Sequence, residues 1–160
     1  MRSIAPSISL TPLSIFTLLC HTNEKAMSYE ELSVWEESHK LALKIYKLTK
    51  DFPKDERFRL VDQICRAAAS VPTNIAEGTG RHSKKEFLQF LYIARGSIEE
   101  TKYLLLLAKD LDYLNKITYS DLKEKYNKVG KMLNRLISSI RTTTKNQQPG
   151  TKNQQLRTNN

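Results

Sequence analysis

Metal binding and catalysis need clustered side chains, and the sequence offers only isolated candidates for either. A four-helix bundle that binds two metal ions needs Glu-x-x-His on two helices and carboxylates from the other two. This chain has one such spacing, Glu36 to His39. Gly78-Thr79-Gly80 precedes Lys84, but a phosphate-binding loop follows a strand and ends in Gly-Lys-Ser/Thr. We therefore predict no metal, no cofactor and no catalytic residue, so the protein is not expected to be an enzyme.

A polar stripe runs along the second helical segment. Its members are spaced 3, 4, 4 and 3 residues apart and therefore share one helix face: Gln63, Arg66, Ser70, Asn74 and Glu77. Arg66 and Glu77 are too far apart to pair with each other, so we expect each to meet another helix or another subunit. We interpret the stripe as a polar interface that fixes register or oligomer state. Plain solvated surface is the alternative.

Basic residues form two rows that could bind an anionic partner. The rows lie on the first and last helical segments: Lys40, Lys44 and Lys47 on the first, and Lys125, Lys128, Lys131 and Arg135 on the last. First and last helices are neighbours in an up-down bundle, so we expect the rows to merge into one patch. Binding through such a patch would involve the nucleic-acid backbone and would be weakly specific. A lysine-rich solvated face is the alternative.

A second basic cluster surrounds the predicted start of the third helix. It consists of Arg81, His82, Lys84 and Lys85. Free backbone N–H groups and the helix dipole favour anions at such a position. We therefore count Arg81, Lys84 and Lys85 among the candidate nucleic-acid-binding residues. The sequence carries no zinc finger, aromatic RNA-recognition motif or helix-turn-helix signature.

Apolar residues recur at helical spacing in four segments, which must position these side chains. The first segment begins with a predicted capping box at Ser33 and Glu36. The second runs from near Asp55 to Gly78, which we expect to be a left-handed glycine cap. The third opens with a capping box at Ser83, and the fourth follows a turn near residue 115. Short loops between four helices predict an all-α, antiparallel up-down four-helix bundle.

Composition divides the chain into three parts. Residues 1–26 are predicted to be a disordered leader or an upstream extension, and residues 27–141 the bundle domain. Residues 142–160 hold a seven-residue direct repeat (TKNQQPG, TKNQQLR), too polar to fold, so we expect a disordered tail. The net charge is +9, but only +5 of it falls on residues 27–141. Nucleic acid is thus a plausible partner on charge alone.

Cysteine content and hydropathy bear on the compartment. The two cysteines cannot build a disulfide framework, which favours a reducing cytoplasm. Cys65 lies among apolar residues and is expected to belong to the core. No run of 18 apolar residues occurs, so no membrane partner is predicted.

Several of these motifs resemble a known family. The segments that carry the resemblance occur in order along residues 29–141: LSVW (32–35), FP (52–53), QICRAA (63–68), SVPTNIAEG (70–78) and IARGS (93–97). Together they resemble the bacterial four-helix-bundle proteins named after 23S rRNA intervening sequences, also called S23-type. The stretch 70–78, followed by Arg81 and Ser83, is the most specific part.

The resemblance implies a bundle that assembles into a homo-oligomeric ring, a pentamer. It also implies kinship with the accessory protein of diversity-generating retroelements, a basic pentameric barrel that binds nucleic acid and a reverse transcriptase. It carries over no catalytic residue. Arg66, Asn74 and Glu77 match the family's most recognisable polar positions, which suits an interface role.

Two functions follow from these features as hypotheses. The first is a non-enzymatic, ring-forming protein that binds RNA or DNA weakly and non-specifically through its basic faces. The alternative is a protein–protein interaction scaffold that recruits an acidic partner such as a polymerase, without direct contact to nucleic acid.

Overall fold

Four α-helices make up most of the described chain. The computed structural model describes residues 28–145, with side chains described for 28–142; the predicted leader and most of the tail lie outside this range. The helices are α1 (Ser33–Leu48), α2 (Asp62–Thr79), α3 (Lys84–Asp110) and α4 (Lys116–Lys145). A 3₁₀ turn, Tyr29–Glu31, precedes α1. No strand occurs in residues 28–145, which confirms the all-α prediction.

The α1–α2 connection contains three short helical turns of two kinds. Two 3₁₀ turns, Thr49–Asp51 and Lys54–Glu56, follow α1. A π-helical turn, Arg57–Val61, then runs directly into α2. Continuous helical backbone therefore begins at Lys54, near the predicted start at Asp55, but α2 itself begins seven residues later than predicted, at Asp62.

The helices are arranged in a closed square. Each packs against its neighbour in sequence, and α1 also packs against α4. Residue numbers run in opposite directions across the α1–α4 contact, where Lys44 meets Asp121 and Glu37 meets Lys128. This arrangement is an antiparallel up-down four-helix bundle, as predicted.

All four helices contribute fully buried apolar side chains to one core. Examples are Ile45 of α1, Ile64 of α2, Leu91 and Leu105 of α3, and Leu133 of α4. Burial of aliphatic side chains like these is worth about 1.5–3 kcal/mol each, which makes the core the main source of stability. Cys65 packs against this core, as expected. No helix of the described residues is long and apolar enough to cross a membrane.

The two predicted capping boxes have opposite outcomes. At the start of α3, Ser83 Oγ accepts a hydrogen bond from Glu86 N at 3.2 Å, and the Glu86 carboxylate accepts from Ser83 N at 3.2 Å. The Ser33 box is wrong. The preceding 3₁₀ turn leaves Leu32 extended (φ −88°, ψ 111°) as the N-cap, so Ser33 already lies inside the helix. Its hydroxyl is therefore one position too late to cap.

The predicted left-handed cap at Gly78 is also wrong. Gly78 is a buried residue inside α2, and no glycine of the described residues has a positive φ. A Cβ on Gly78 would lie 2.7 Å from Phe87 Cδ2 and 3.0 Å from Phe90 Cβ. The glycine is needed because α2 and α3 approach closely beside their connecting turn, not because of backbone conformation.

We predict that Gly78→Ala lowers the free energy of unfolding by about 1–3 kcal/mol, because the methyl group would overpack the α2–α3 contact. Gly130→Ala is the matched control, since a Cβ on Gly130 meets nothing within 4 Å. In the control, the higher helix propensity of alanine should raise the free energy of unfolding by about 0.5–1 kcal/mol. Urea denaturation of both variants measures the difference, and equal effects would contradict the close-approach explanation.

Candidate nucleic-acid interface

The bundle brings the two predicted basic rows together. A groove of about 780 Å³ lies between α1 and α4. Five lysines of the two rows line it: Lys40, Lys44, Lys125, Lys128 and Lys131. Lys47 and Arg135 are exposed on the same two helices but do not line the groove. We call the five lysines and the groove between them the α1–α4 groove.

Carboxylates that the sequence patterns did not single out occupy the same groove. Asp121 accepts from Lys44 Nζ at 2.7 Å and forms a second ion pair with Lys125 at 2.7 Å. Glu37 lies 3.4 Å from both Lys40 and Lys128. The spacing Asp121–Lys125 predicts a helical ion pair. The ion pairs between α1 and α4 could not be predicted from sequence spacing, because they depend on how the two helices pack.

The ion pairs perturb the titration of both carboxylates. Hydrogen bonds from Lys125 and Lys44 lower the pKa of Asp121. The charge of Lys128 and the hydrogen bonds from it and Lys40 lower the pKa of Glu37. The pKa of Lys125 is raised in turn, chiefly by its hydrogen bond to Asp121. All of these groups are at least partly exposed to solvent, so each pair contributes little to stability on its own.

The groove nevertheless retains positive charge. Its lining contains five lysines and three carboxylates, those of Glu37, Asp121 and Glu124. No carboxylate of residues 28–142 forms an ion pair with Lys47, Lys131 or Arg135. The uncompensated cations therefore lie at Lys131 and immediately beyond the groove.

The second basic cluster makes more contacts within the chain than the sequence indicated. Arg81 forms an ion pair with Glu77, and its guanidinium carbon lies 4.5 Å from the centre of the Phe90 ring. The capping box places the Glu86 carboxylate at the start of α3, where a hydrogen bond from Ser83 lowers its pKa. The expectation of free N–H donors for an anion is thus corrected in part, because Ser83 already accepts from Glu86 N. Lys84 and Lys85 are exposed.

The polar stripe of α2 divides into two groups. Ser70 and Asn74 are half-buried: Asn74 Nδ2 donates to Ser70 Oγ at 2.9 Å, and the Ser70 hydroxyl lies 2.9 Å from that of Ser97 on α3. Arg66 instead pairs with Asp62 on its own helix at 3.3 Å.

Glu77 pairs with Arg81 four residues later, and Gln63 is exposed. Within the chain, the expectation that Arg66 and Glu77 each meet another helix is wrong, because each has a partner four residues away. Both side chains remain substantially exposed, so contact with another subunit stays a prediction.

The half-motif Glu36–His39 shows no arrangement for a metal. The His39 ring stacks on Trp35, with 5.2 Å between ring centres and 4° between planes. Glu36 pairs with Lys40 at 2.6 Å. Among the described residues, no group of three or more histidine, cysteine, aspartate or glutamate side chains could hold a metal ion.

Comparison with known proteins identifies the family. The model of the 23S rRNA-intervening sequence protein family matches residues 30–135. The chain belongs to this family. The match covers the whole α1–α4 groove and the α2 stripe, so both lie inside the family domain. Among curated proteins, none matches the chain.

A solved structure supports the family fold. It is a crystal structure of a protein of unknown function from the S23 ribosomal protein family of Bacteroides thetaiotaomicron. The two chains are 27% identical, and the match covers 66% of this chain and 95% of the other, with a TM-score of 0.62. The family assignment from the residue motifs is confirmed, and nothing in these comparisons points to catalysis.

We predict that acidification weakens the α1–α4 contact. Because the pKa of Asp121 is lowered in the folded state, its stabilising effect is present above its ordinary value of 3.8 and is lost as pH falls through the lowered value. Asp121→Asn should therefore reduce stability at pH 7 and flatten its fall in acid. Urea denaturation from pH 7 downward, at low salt, measures both effects.

Glu124→Gln is the control for this prediction. Glu124 lines the same groove but forms no ion pair with any residue of 28–142. Identical pH profiles for the two variants would show that the ion pairs of Asp121 do not contribute to folding.

Proposed function

We propose that this 23S rRNA-intervening sequence protein is non-enzymatic and binds RNA or DNA weakly and non-specifically through its basic faces. The observation that carries the proposal is the α1–α4 groove, where two helices distant in sequence bring five lysines to one surface. A retained excess of positive charge on an exposed concave surface attracts a polyanion. The two cysteines and the absence of a disulfide framework support a cytoplasmic location.

The spacing of the cations suits a phosphate backbone. Lys128, Lys131 and Arg135 follow one another at intervals of three and four residues on α4. They therefore span about 10 Å along the helix axis. One strand of duplex DNA presents about three phosphates over that length. Lysine binds phosphate as a flexible point charge and not as a planar fork, which favours binding without base recognition.

Partial neutralisation explains why the binding should be weak. Lys44 and Lys125 share Asp121, and Lys128 is held near Glu37. A phosphate that approaches these lysines competes with carboxylates already in place. Only the excess charge is available without such competition, so affinity should depend strongly on salt.

We predict that replacing Lys128 and Lys131 together by glutamine weakens duplex binding and makes its salt dependence shallower. Each lost phosphate contact should reduce the slope of log K against log salt by about 0.9. The control is Lys116→Gln with Lys123→Gln, which removes the same charge from α4 outside the groove. Gel shifts across a salt series give both slopes. No binding by the natural chain at low salt, or equal losses in both variants, would refute the proposal.

A recruiting scaffold is the second candidate. It is favoured by apolar side chains that the described chain leaves uncovered, notably Phe58, Tyr103 and Ile117. Such residues suit a protein partner, for example a polymerase such as a reverse transcriptase, whose acidic surface could face the groove. Pull-down from a host extract with and without nuclease separates the two candidates. Retention of a protein partner after nuclease treatment, with no gel shift, would favour the scaffold.

We also propose that the chain assembles into a homo-oligomeric ring, a pentamer, through the face of α2 and α3. Arg66 and Glu77 are exposed on α2, and Tyr92, Ile93 and Tyr103 are exposed on α3. Gly96 lies among these α3 residues with open space around it, so another helix could approach closely there. Exposed apolar side chains on one helix, beside exposed charged residues, are typical of a subunit interface.

For assembly, Arg66→Ala or Glu77→Ala should lower the oligomer mass more than Lys44→Ala does. Arg66 and Glu77 form only exposed ion pairs within the chain, so their loss should barely affect folding. Lys44 pairs with Asp121 on the other side of the bundle. Light scattering of the full chain at micromolar concentration measures the mass. A monomeric natural chain, or unchanged masses in both α2 variants, would contradict the proposal.

A further inference from the structure

A second concave surface lies where α1 ends and α2 begins, away from the α1–α4 groove. Its volume is about 590 Å³. Thr49, Val61 and Cys65 line it and are buried or half-buried, while Tyr46 and Phe58 line it and are exposed. Phe58 exposes 85% of its surface although it sits within a helical turn. We call this surface the α1–α2 cleft.

The backbone of the cleft is unusual at the exposed aromatic residue. Phe58 belongs to the π-helical turn Arg57–Val61. Such turns are rare and occur frequently at functional sites. Because Phe58 is exposed, its side chain adds no stability to the folded chain through burial. Its position on this turn therefore suggests a contact with something outside the chain.

Cations surround the aromatic side chains of the cleft. Lys50, Lys54 and Arg57 line it, and no carboxylate of residues 28–142 forms an ion pair with any of them. The one carboxylate in the lining, Asp62, pairs at 3.3 Å with Arg66, which lines the cleft and also belongs to the proposed subunit interface. The guanidinium carbon of Arg57 lies 5.5 Å from the centre of the Phe58 ring. Aromatic faces and unpaired cations thus occur side by side.

We propose that the α1–α2 cleft binds an unpaired base of a single-stranded nucleic acid. The base stacks on Phe58, and Lys50, Lys54 and Arg57 contact the flanking phosphates. Stacking platforms beside a cationic track are the arrangement by which proteins bind single strands without sequence preference. A base inside a duplex cannot offer its face to Phe58, so the cleft should discriminate single strands from duplexes.

The position of the cleft fits the proposed function, on which this inference rests. Lys40, Lys44 and Lys47 follow one another at intervals of four and three residues on α1, and Lys50 comes three residues later in the 3₁₀ turn Thr49–Asp51. This row joins the α1–α4 groove to the cleft, and Lys47 is the uncompensated cation between them. A single strand that leaves the groove can therefore pass Lys47 and Lys50 to reach the aromatic side chains.

The test compares Phe58→Ala with Ile117→Ala on three probes at low salt. Ile117 is the control because it is an apolar residue of similar exposure, 83%, outside the cleft. The probes are a single-stranded 12-mer, the same 12-mer with abasic sites, and its duplex. We expect Phe58→Ala to weaken binding of the base-containing strand about tenfold, with abasic and duplex binding unchanged. Ile117→Ala should change none of the three.

Each other outcome has a distinct meaning. Unchanged binding of the base-containing strand by Phe58→Ala overturns the cleft proposal, while persisting duplex binding leaves the proposed function intact. Absence of both single-strand and duplex binding in the natural chain overturns both. A lower oligomer mass of Phe58→Ala in light scattering would assign the cleft to a contact between copies instead. Because Phe58 is exposed, an unchanged melting temperature verifies that the variant is folded.

Discussion

The contact between α1 and α4 is the constraint on which the proposed binding groove depends. It closes the square of helices, and it is the least extensive of the four helix–helix contacts. At its surface, Lys44 and Asp121 join residues 77 positions apart, and Glu37 and Lys128 join residues 91 positions apart. Beneath them, Leu41 and Ile45 of α1 are buried in the same core as Val129 of α4. The buried core provides most of the stability of this contact, and the ion pairs show how α1 and α4 are aligned.

The same lysines therefore take part in folding and in the proposed binding. Asp121 pairs with two of them and Glu37 with two more, so four of the five lysines in the α1–α4 groove already have a carboxylate partner. A polyanion can bind the unpaired cations directly, but it must compete with Asp121 and Glu37 for the paired lysines. This is a physical reason to expect weak, salt-sensitive binding from a chain whose formal net charge is +9. Much of that charge lies outside the bundle.

The sequence predicts the bundle well because helical periodicity is a local signal. It misplaces details that depend on neighbours. Gly78 carries the usual signal of a helix cap, but the packing of Phe87 against it is what requires glycine. Ser33 fits a capping box, but the turn before it starts the helix one residue earlier. The pairs of Arg66 with Asp62 and of Glu77 with Arg81 follow helical spacing and were predictable. The Ser70–Ser97 contact and the α1–α2 cleft were not, since each joins separate helices.

Lysine acetylation footprinting tests directly whether nucleic acid binds along the α1–α4 groove, as we propose. The full chain is acetylated briefly with and without an oligonucleotide at low salt, and each lysine is quantified by mass spectrometry. Our account predicts strong protection of Lys128 and Lys131 and little change at Lys116 and Lys123 on the same helix. Equal protection of all four lysines, or protection confined to Lys116 and Lys123, would contradict it.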